Sequence, residues 1–234
     1  AIDLQNDMIT DLMFLAKNRL RFTQESFSWL RRNTNWDLIT NFVIYDDGSE
    51  DGTAEWLGEQ AAKVGAAFRQ TTFGSGLQAG NNFVARSQAD FVAKLDNDAM
   101  YPPNWLDIAL GVMQSHPELE MLGLEWMGAP GEMPYSYYEI ADADGLWIAR
   151  GDIFRRGNLP VVTDVYFGMH PWVSSNGIKS GRLKPSIPVF LLDRVPLEPW
   201  QSLSKEYTSK GWQRDVFPCY SADMSQLWNW CQLK

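Results

Sequence analysis

Two pairs of aspartates stand directly after apolar runs in this sequence: Asp46 with Asp47, and Asp96 with Asp98. Like charges held close together are unfavourable unless a cation or a proton intervenes. Side chains two apart in an extended segment point the same way, so Asp96 and Asp98 could face one ligand together. Two explanations stay open at this point: carboxylates that share one ligand, and a polar turn at the end of a strand, which uses the same residue types.

The histidine and cysteine content restricts the kind of metal that such a site could hold. Only two residues of each type are present, so carboxylate oxygens would have to supply most of the ligands. Oxygen ligands suit a hard ion better than they suit zinc. If the aspartates hold a metal, the sequence therefore predicts Mn²⁺ or Mg²⁺.

Size and charge narrow the class of protein. The chain has 234 residues, of which 45% are apolar, enough for a full core near the upper range of one domain. A net charge of −9 disfavours nonspecific attraction to nucleic acid or to anionic membranes. Three aspartates interrupt the N-terminal region where a signal peptide would be apolar, and no apolar stretch is long enough to cross a bilayer. We therefore expect a cytoplasmic location and no membrane segment.

The first half of the chain alternates apolar runs with segments of helical period. We expect strands at 12–15, 42–45, 67–71 and 91–95, and helices at 23–32, 54–64, 77–87 and after Pro102-Pro103. Thr23 could cap the first helix, and Thr53 or Asp51 the second. This repeated pattern predicts an α/β fold with a mainly parallel sheet and helices on both faces. Ligands of such sheets bind beyond the carboxyl ends of the strands, where both acidic clusters lie.

The second half of the chain has a different pattern. Strands are expected at 121–126 and 146–150, an aromatic loop at 135–138, and Pro-rich connections around 185–200. No repeat or clear linker separates this region from the first half. We interpret it as an extension of the same domain, in which loops supply specificity.

Longer motifs carry a family resemblance. The string DDGSEDGT at 46–53 follows a strand, and Asp96-Asn97-Asp98 follows another about fifty residues later. Together they resemble the family 2 glycosyltransferases of the GT-A fold, over roughly residues 10–195. The similarity extends to Lys17-Asn18-Arg19 and to the stretch GLQAGNN at 76–82. It implies one Rossmann-like GT-A domain over residues 1–234. In this domain about residues 10–100 would bind the nucleotide-sugar. The remaining part, about residues 101–234, would bind the acceptor and includes a C-terminal extension.

The resemblance also implies roles for individual residues. Asp96-Asn97-Asp98 matches the DXD motif of the family, in which a divalent cation bridges the donor diphosphate. The implied metal ligands are Asp96, Asp98 and Asp193, the last at the position where related enzymes often have a histidine. The implied nucleotide-sugar contacts are Asn18, Arg19, Asp46, Asp47, Gly76, Asn81, Asp96 and Arg194.

The family pattern is broken at the catalytic base. The usual Glu-Asp-Trp corresponds here to His170-Pro171-Trp172, so the aspartate that deprotonates the acceptor is missing. His170 could replace it, because its unperturbed pKa lies near neutrality, and Asp164 is a second candidate. A retaining enzyme would need no such base. Trp172 keeps the aromatic position and could stack on an acceptor.

The resemblance favours a metal-dependent transferase that moves a sugar from a UDP- or GDP-sugar to an unidentified acceptor. A glycan, a protein, a small molecule and a modified nucleic-acid base all remain possible acceptors. One alternative is a non-catalytic module that binds a nucleotide or a glycan, which the replaced base favours. Another is a sugar-phosphate nucleotidyltransferase, which the lack of glycines at 16–19 disfavours.

Overall fold

A computed structural model describes residues 8–124, 135–140, 145–157, 159, 169–184, 189–195 and 198–211. Its strands are β1 Thr10–Ala16, β2 Asn41–Asp46, β3 Ala67–Gln70, β4 Phe91–Asp96, β5 Ala99–Met100, β6 Met121–Gly123, β7 Ser136–Ile140, β8 Trp147–Arg150, β9 Ser180–Lys184 and β10 Phe190–Leu191. Its α-helices are α1 Leu20–Asn33, α2 Thr53–Val64, α3 Gly76–Val84, α4 Trp105–Ser115, α5 Met169–Ser175 and α6 Trp200–Ser209. Short 3₁₀ helices lie at Trp36–Leu38, Gly151–Arg155 and Leu192–Arg194.

Eight of these strands form one sheet in the order β3-β2-β1-β4-β8-β6-β9-β7. The first four are parallel, β8 runs antiparallel to both β4 and β6, and β7 runs antiparallel to β9. A separate pair joins β10 to β5. The predicted α/β class is confirmed, and the four strands expected from the first half of the sequence are the parallel ones. The other four strands, β8, β6, β9 and β7, form the part of the sheet with mixed directions.

The core lies on both faces of the sheet. All seven residues of β1 are buried, which marks it as a central strand. Leu12 and Phe14 pack towards α1, α2 and α4, whereas Met13 and Leu15 pack towards α3 and α5. This alternation follows from the two-residue period of a strand. No helix among the described residues is both long and apolar enough to cross a membrane.

The predicted cap of the first helix is wrong. Thr23 lies inside α1, which begins at Leu20 after a left-handed Arg19. The Leu20 N–H donates to Asp51 Oδ2 at 2.9 Å, so a carboxylate from another loop satisfies this first-turn donor. The N-cap of α2 is Gly52 and not Thr53 or Asp51 as predicted, but Asp51 Oδ1 accepts from the N–H of Thr53 at 3.1 Å. One carboxylate thus serves both helix starts.

The prediction of a loop for the aromatic segment 135–138 is also wrong. Residues 136–140 form β7, in which Tyr138 pairs with Arg182 of β9. Local sequence could not reveal this strand, because its partner lies more than forty residues further along the chain.

Candidate functional site

The register of the parallel strands brings the two acidic clusters to one edge. Asp46 lies opposite Ala16 at the end of β1, and Asp96 lies opposite Leu15 on the other side of the same strand. Adjacent strands are about 4.8 Å apart, so these two backbone positions are separated by roughly 10 Å. The loops that follow β1, β2 and β4 therefore meet at this edge.

Asn18 connects these three loops. Its backbone N–H donates to Ser49 Oγ at 2.7 Å, and its Oδ1 accepts from the N–H of Glu50 at 2.7 Å. Its carbonyl accepts from Asn97 Nδ2 at 2.9 Å. Asn18 and Arg19 have φ values of 53° and 63°, a left-handed backbone that costs about 1–2 kcal/mol per residue. The hydrogen bonds offset that strain and fix the loop.

Asn97 fixes the loop after β4 from the other side. Its side chain is 2% exposed, and Nδ2 donates to the Asn18 carbonyl and, at 2.7 Å, to Thr23 Oγ1. Its Oδ1 accepts from Arg19 Nη2 at 2.9 Å. Sequence reasoning singled out the flanking carboxylates and gave this residue no role. The one local indication of a structural role for Asn97 is its position between Asp96 and Asp98. In an extended segment its side chain points to the side opposite to theirs.

Arg19 forms an ion pair with Asp98. The Nη1 to Oδ2 distance is 2.9 Å, and the two side chains are only 15% and 11% exposed. Burial lowers the pKa of Arg19, but the carboxylates of Asp98, Asp193 and Asp96 raise it, and the net pKa lies above the ordinary value. Arg19 was expected to line a nucleotide pocket, and the structure places it against the Asp96-Asn97-Asp98 motif. Its contact with a donor stays a prediction.

Asp96 has a separate basic partner, Lys94. Lys94 Nζ lies 2.6 Å from Asp96 Oδ1 and also donates to the Gly145 carbonyl at 2.8 Å. Burial raises the pKa of Asp96, Lys94 lowers it and Asp98 raises it, which leaves it above the ordinary value. Sequence reasoning missed Lys94. The signal was available, because residues two apart in β4 share one face of the sheet.

A distant segment completes this edge. The pairing of β10 with β5 sets Leu191 opposite Ala99, and the N–H of Leu192 donates to the carbonyl of Asp98 at 2.6 Å. The following turn of 3₁₀ helix carries Asp193 and Arg194. Asp193 lies close enough to raise the pKa of Arg19. Among the described residues, no three His, Cys, Asp or Glu side chains stand together as metal ligands.

The first acidic pair, Asp46 and Asp47, accepts hydrogen bonds from nearby loops and so stabilises them. Asp46 is fully buried and accepts from the N–H groups of Gly48 and Ser49 at 3.2 and 3.1 Å, and it also accepts a short bond from the Ser49 hydroxyl. Asp47 Oδ1 accepts from Thr71 Oγ1 and from the Gly74 N–H, both at 3.2 Å. Their contacts with a base and a ribose stay predictions.

We expect Thr71→Val to lower the free energy of unfolding by about 1.5 kcal/mol, because the buried Asp47 carboxylate loses one donor. Urea unfolding measures this change. Thr72→Val is the matched control, since it makes the same substitution at an exposed neighbour. Equal losses in the two variants would mean that the Thr71 hydroxyl does not hold the loop.

The other predicted donor contacts lie on α3. Gly76 begins this helix, and a Cβ there would stand 3.1 Å from Leu15 Cδ2, so the backbone passes close to β1. Asn81 is partly buried one turn further along. The structure thus places Gly76 next to the carboxyl end of β1, and the roles of both residues stay predictions.

The predicted acceptor residues are only partly described. Trp172 in α5 is 8% exposed and stacks on Phe154, with ring centroids 5.4 Å apart and ring planes within 2°. That stacked face is not open to a sugar, and contact with an acceptor stays a prediction. Asp164 and the side chain of His170 lie outside the described residues.

Comparison with known proteins gives a family match over part of the chain. Residues 14–126 match the family model described as Glycosyl transferase family 2. The match covers the loops after β1, β2 and β4 but not the segment with Asp193, and it confirms the resemblance inferred from the motifs. A search of curated proteins gives no match.

Solved structures of glycosyltransferases share the fold. A mannosyltransferase from Pyrobaculum calidifontis, in complex with GDP-Man and Mn²⁺, has a TM-score of 0.60 at 14% identity over 82% of this chain. S. aureus TarS 1-349 in complex with UDP has a TM-score of 0.61 at 14% identity, covering 94% of this chain and 78% of that one. This chain spans 59% of the mannosyltransferase and 41% of a longer TarS structure. At these identities the likeness establishes the GT-A fold alone.

Proposed function

We propose that this chain transfers a sugar from a UDP- or GDP-sugar to an acceptor. One observation carries the proposal: hydrogen bonds join the loops after β1, β2 and β4 into a single edge that contains Asp96, Asp98 and Arg19. These three loops lie within the residues that match the family 2 model. Structures of the same fold hold GDP-Man in the mannosyltransferase and UDP-GlcNAc in TarS. The proposed donor site uses this edge.

A divalent cation, Mn²⁺ or Mg²⁺, fits the chemistry of the same residues. Asp96, Asp98 and Asp193 supply hard carboxylate oxygens, the first two at or just after the end of β4 and the third in the turn after β10, which pairs with β5. In the proposal Asp98 holds the cation, with Asp193 and Asp96 completing the carboxylate set. A bound cation stabilises the negative charge that grows on the leaving diphosphate. Arg194 follows Asp193 in the same 3₁₀ turn, and in the proposal its guanidinium binds the diphosphate.

In the proposed reaction, an acceptor hydroxyl oxygen forms a bond to the anomeric carbon of the sugar, and the bond from that carbon to the diphosphate breaks. The hydroxyl proton passes to a base, for which His170 and Asp164 are the candidates in an inverting enzyme. In the proposal, the region around Trp172 binds the acceptor. The acceptor hydroxyl would belong to a glycan, a protein, a small molecule or a modified nucleic-acid base.

The test is donor turnover without an acceptor. We expect one or more UDP- or GDP-sugars, incubated with the protein and Mn²⁺, to release nucleoside diphosphate slowly, because water replaces the missing acceptor. Tight donor binding without turnover, even with many acceptors supplied, would instead indicate a binding module. Failure of every donor to bind or react, with or without metal, would refute the proposed function.

A further inference from the structure

We propose that Arg19 is an internal counter-cation that competes with a divalent cation for Asp98, and thereby sets the metal affinity of the site. The inference deepens the proposed function, because the cation concerned is the one proposed to hold the donor diphosphate.

Two directed contacts hold the Arg19 guanidinium in place. Nη1 lies 2.9 Å from Asp98 Oδ2, and Nη2 donates to Asn97 Oδ1 at 2.9 Å. Asn97 is itself fixed by the carbonyl of Asn18 and by Thr23 Oγ1. The charged group is therefore oriented by its surroundings, unlike a freely moving surface arginine.

The charges at this edge are balanced by side chains of the protein. Lys94 is paired with Asp96, and Arg19 is paired with Asp98 and is also under the influence of Asp193. A divalent cation on Asp98 would stand next to the guanidinium of Arg19, and like charges at such short range repel strongly when both side chains are as little exposed as these two. Because the guanidinium already lies 2.9 Å from Asp98 Oδ2, it would have to move away before Asp98 could hold the cation.

Displacement would give Arg19 a second partner at the same edge. A guanidinium binds phosphate oxygens with two parallel hydrogen bonds, so the diphosphate of a donor can replace the lost carboxylate. Arg19 would then hold Asp98 in the absence of ligand and the diphosphate in its presence. The exchange would make binding of the cation and binding of the diphosphate mutually favourable.

Mn²⁺ binding without nucleotide tests the inference. Electron paramagnetic resonance measures the free Mn²⁺ remaining as the parent protein, Arg19→Gln and Arg21→Gln are titrated. Arg21→Gln is the matched control, since it removes the same charge from an exposed position two residues away. We expect Arg19→Gln to bind Mn²⁺ about tenfold more tightly than the parent, and Arg21→Gln to match the parent. Saturated with Mn²⁺, Arg19→Gln should bind UDP or GDP more weakly than the parent.

Equal or weaker Mn²⁺ binding by Arg19→Gln would overturn the inference, and so would the absence of Mn²⁺ binding in every variant. Should Arg19→Gln fail to fold, Arg19→Lys keeps the test open. A lysine ammonium cannot span both Asp98 and Asn97, so we expect its Mn²⁺ affinity to rise about threefold and Mn²⁺ to raise its melting temperature more than that of the parent. An unchanged Mn²⁺ affinity in Arg19→Lys would overturn the inference. Donor turnover that persists in EDTA would preserve the proposed function while the inference failed.

Discussion

Asp98→Asn should lower the affinity for the nucleotide-sugar in Mn²⁺ by about ten- to a hundredfold, and turnover by at least as much. Asparagine keeps the shape of the side chain but removes a full charge from the residue proposed to hold the cation. The fold should persist, because the amide oxygen can still accept a hydrogen bond from Arg19, which now donates to Asp98 at 2.9 Å. Calorimetric titration of donor in the presence of Mn²⁺ measures the loss.

Asp96→Asn is the matched control for this prediction. The same atom-for-atom change is made two residues away, at a carboxylate already engaged by Lys94, so the loss of donor affinity should be milder. Donor affinity and turnover of Asp98→Asn that equal those of the parent would show that Asp96-Asn97-Asp98 is an ordinary strand end. The metal-dependent mechanism would then be wrong.

Asn97→Ala should lower the free energy of unfolding by about 2–4 kcal/mol. The substitution removes three hydrogen bonds at a side chain that is 2% exposed, and leaves the Asn18 carbonyl, Thr23 Oγ1 and Arg19 Nη2 without those bonds. Buried polar groups left unsatisfied cost more than a solvent-exposed bond. Urea unfolding of the parent and the variant measures the difference.

Asn176→Ala serves as the control, because it truncates an exposed asparagine that donates to the Trp172 carbonyl at the end of α5. Its expected loss is below about 1 kcal/mol. If Asn97→Ala lost no more than Asn176→Ala, the hydrogen bonds of Asn97 would not be what joins the loops after β1 and β4.

The parallel half of the fold was predictable because its signals are local. Apolar runs ending in Asp46 and Asp96 marked two strands, and parallel strands necessarily bring their carboxyl ends to one edge. The position of Lys94 two residues before Asp96 was equally readable. For these strands, the local sequence predicts both the strand and the edge of the sheet at which it ends.

The remaining features depend on contacts between distant residues. Helix α1 begins at Leu20 because Asp51 accepts from its N–H, and no pattern within 20–33 contains that information. The antiparallel pairing of β10 with β5 places Asp193 near Asp98, and the strand β7 exists through its pairing with β9. The family resemblance supplied Asp193 as a candidate, but the Arg19 and Asp98 ion pair had no counterpart in the sequence patterns.

A crystal structure of the chain with Mn²⁺ and UDP or GDP would test the central proposal most directly. We expect the diphosphate at the carboxyl ends of β1 and β4, the cation between it and Asp98, and the Arg19 guanidinium turned from Asp98 towards a phosphate oxygen. A nucleotide bound away from this edge, or bound there with Asp98 touching neither cation nor phosphate, would contradict the proposed function.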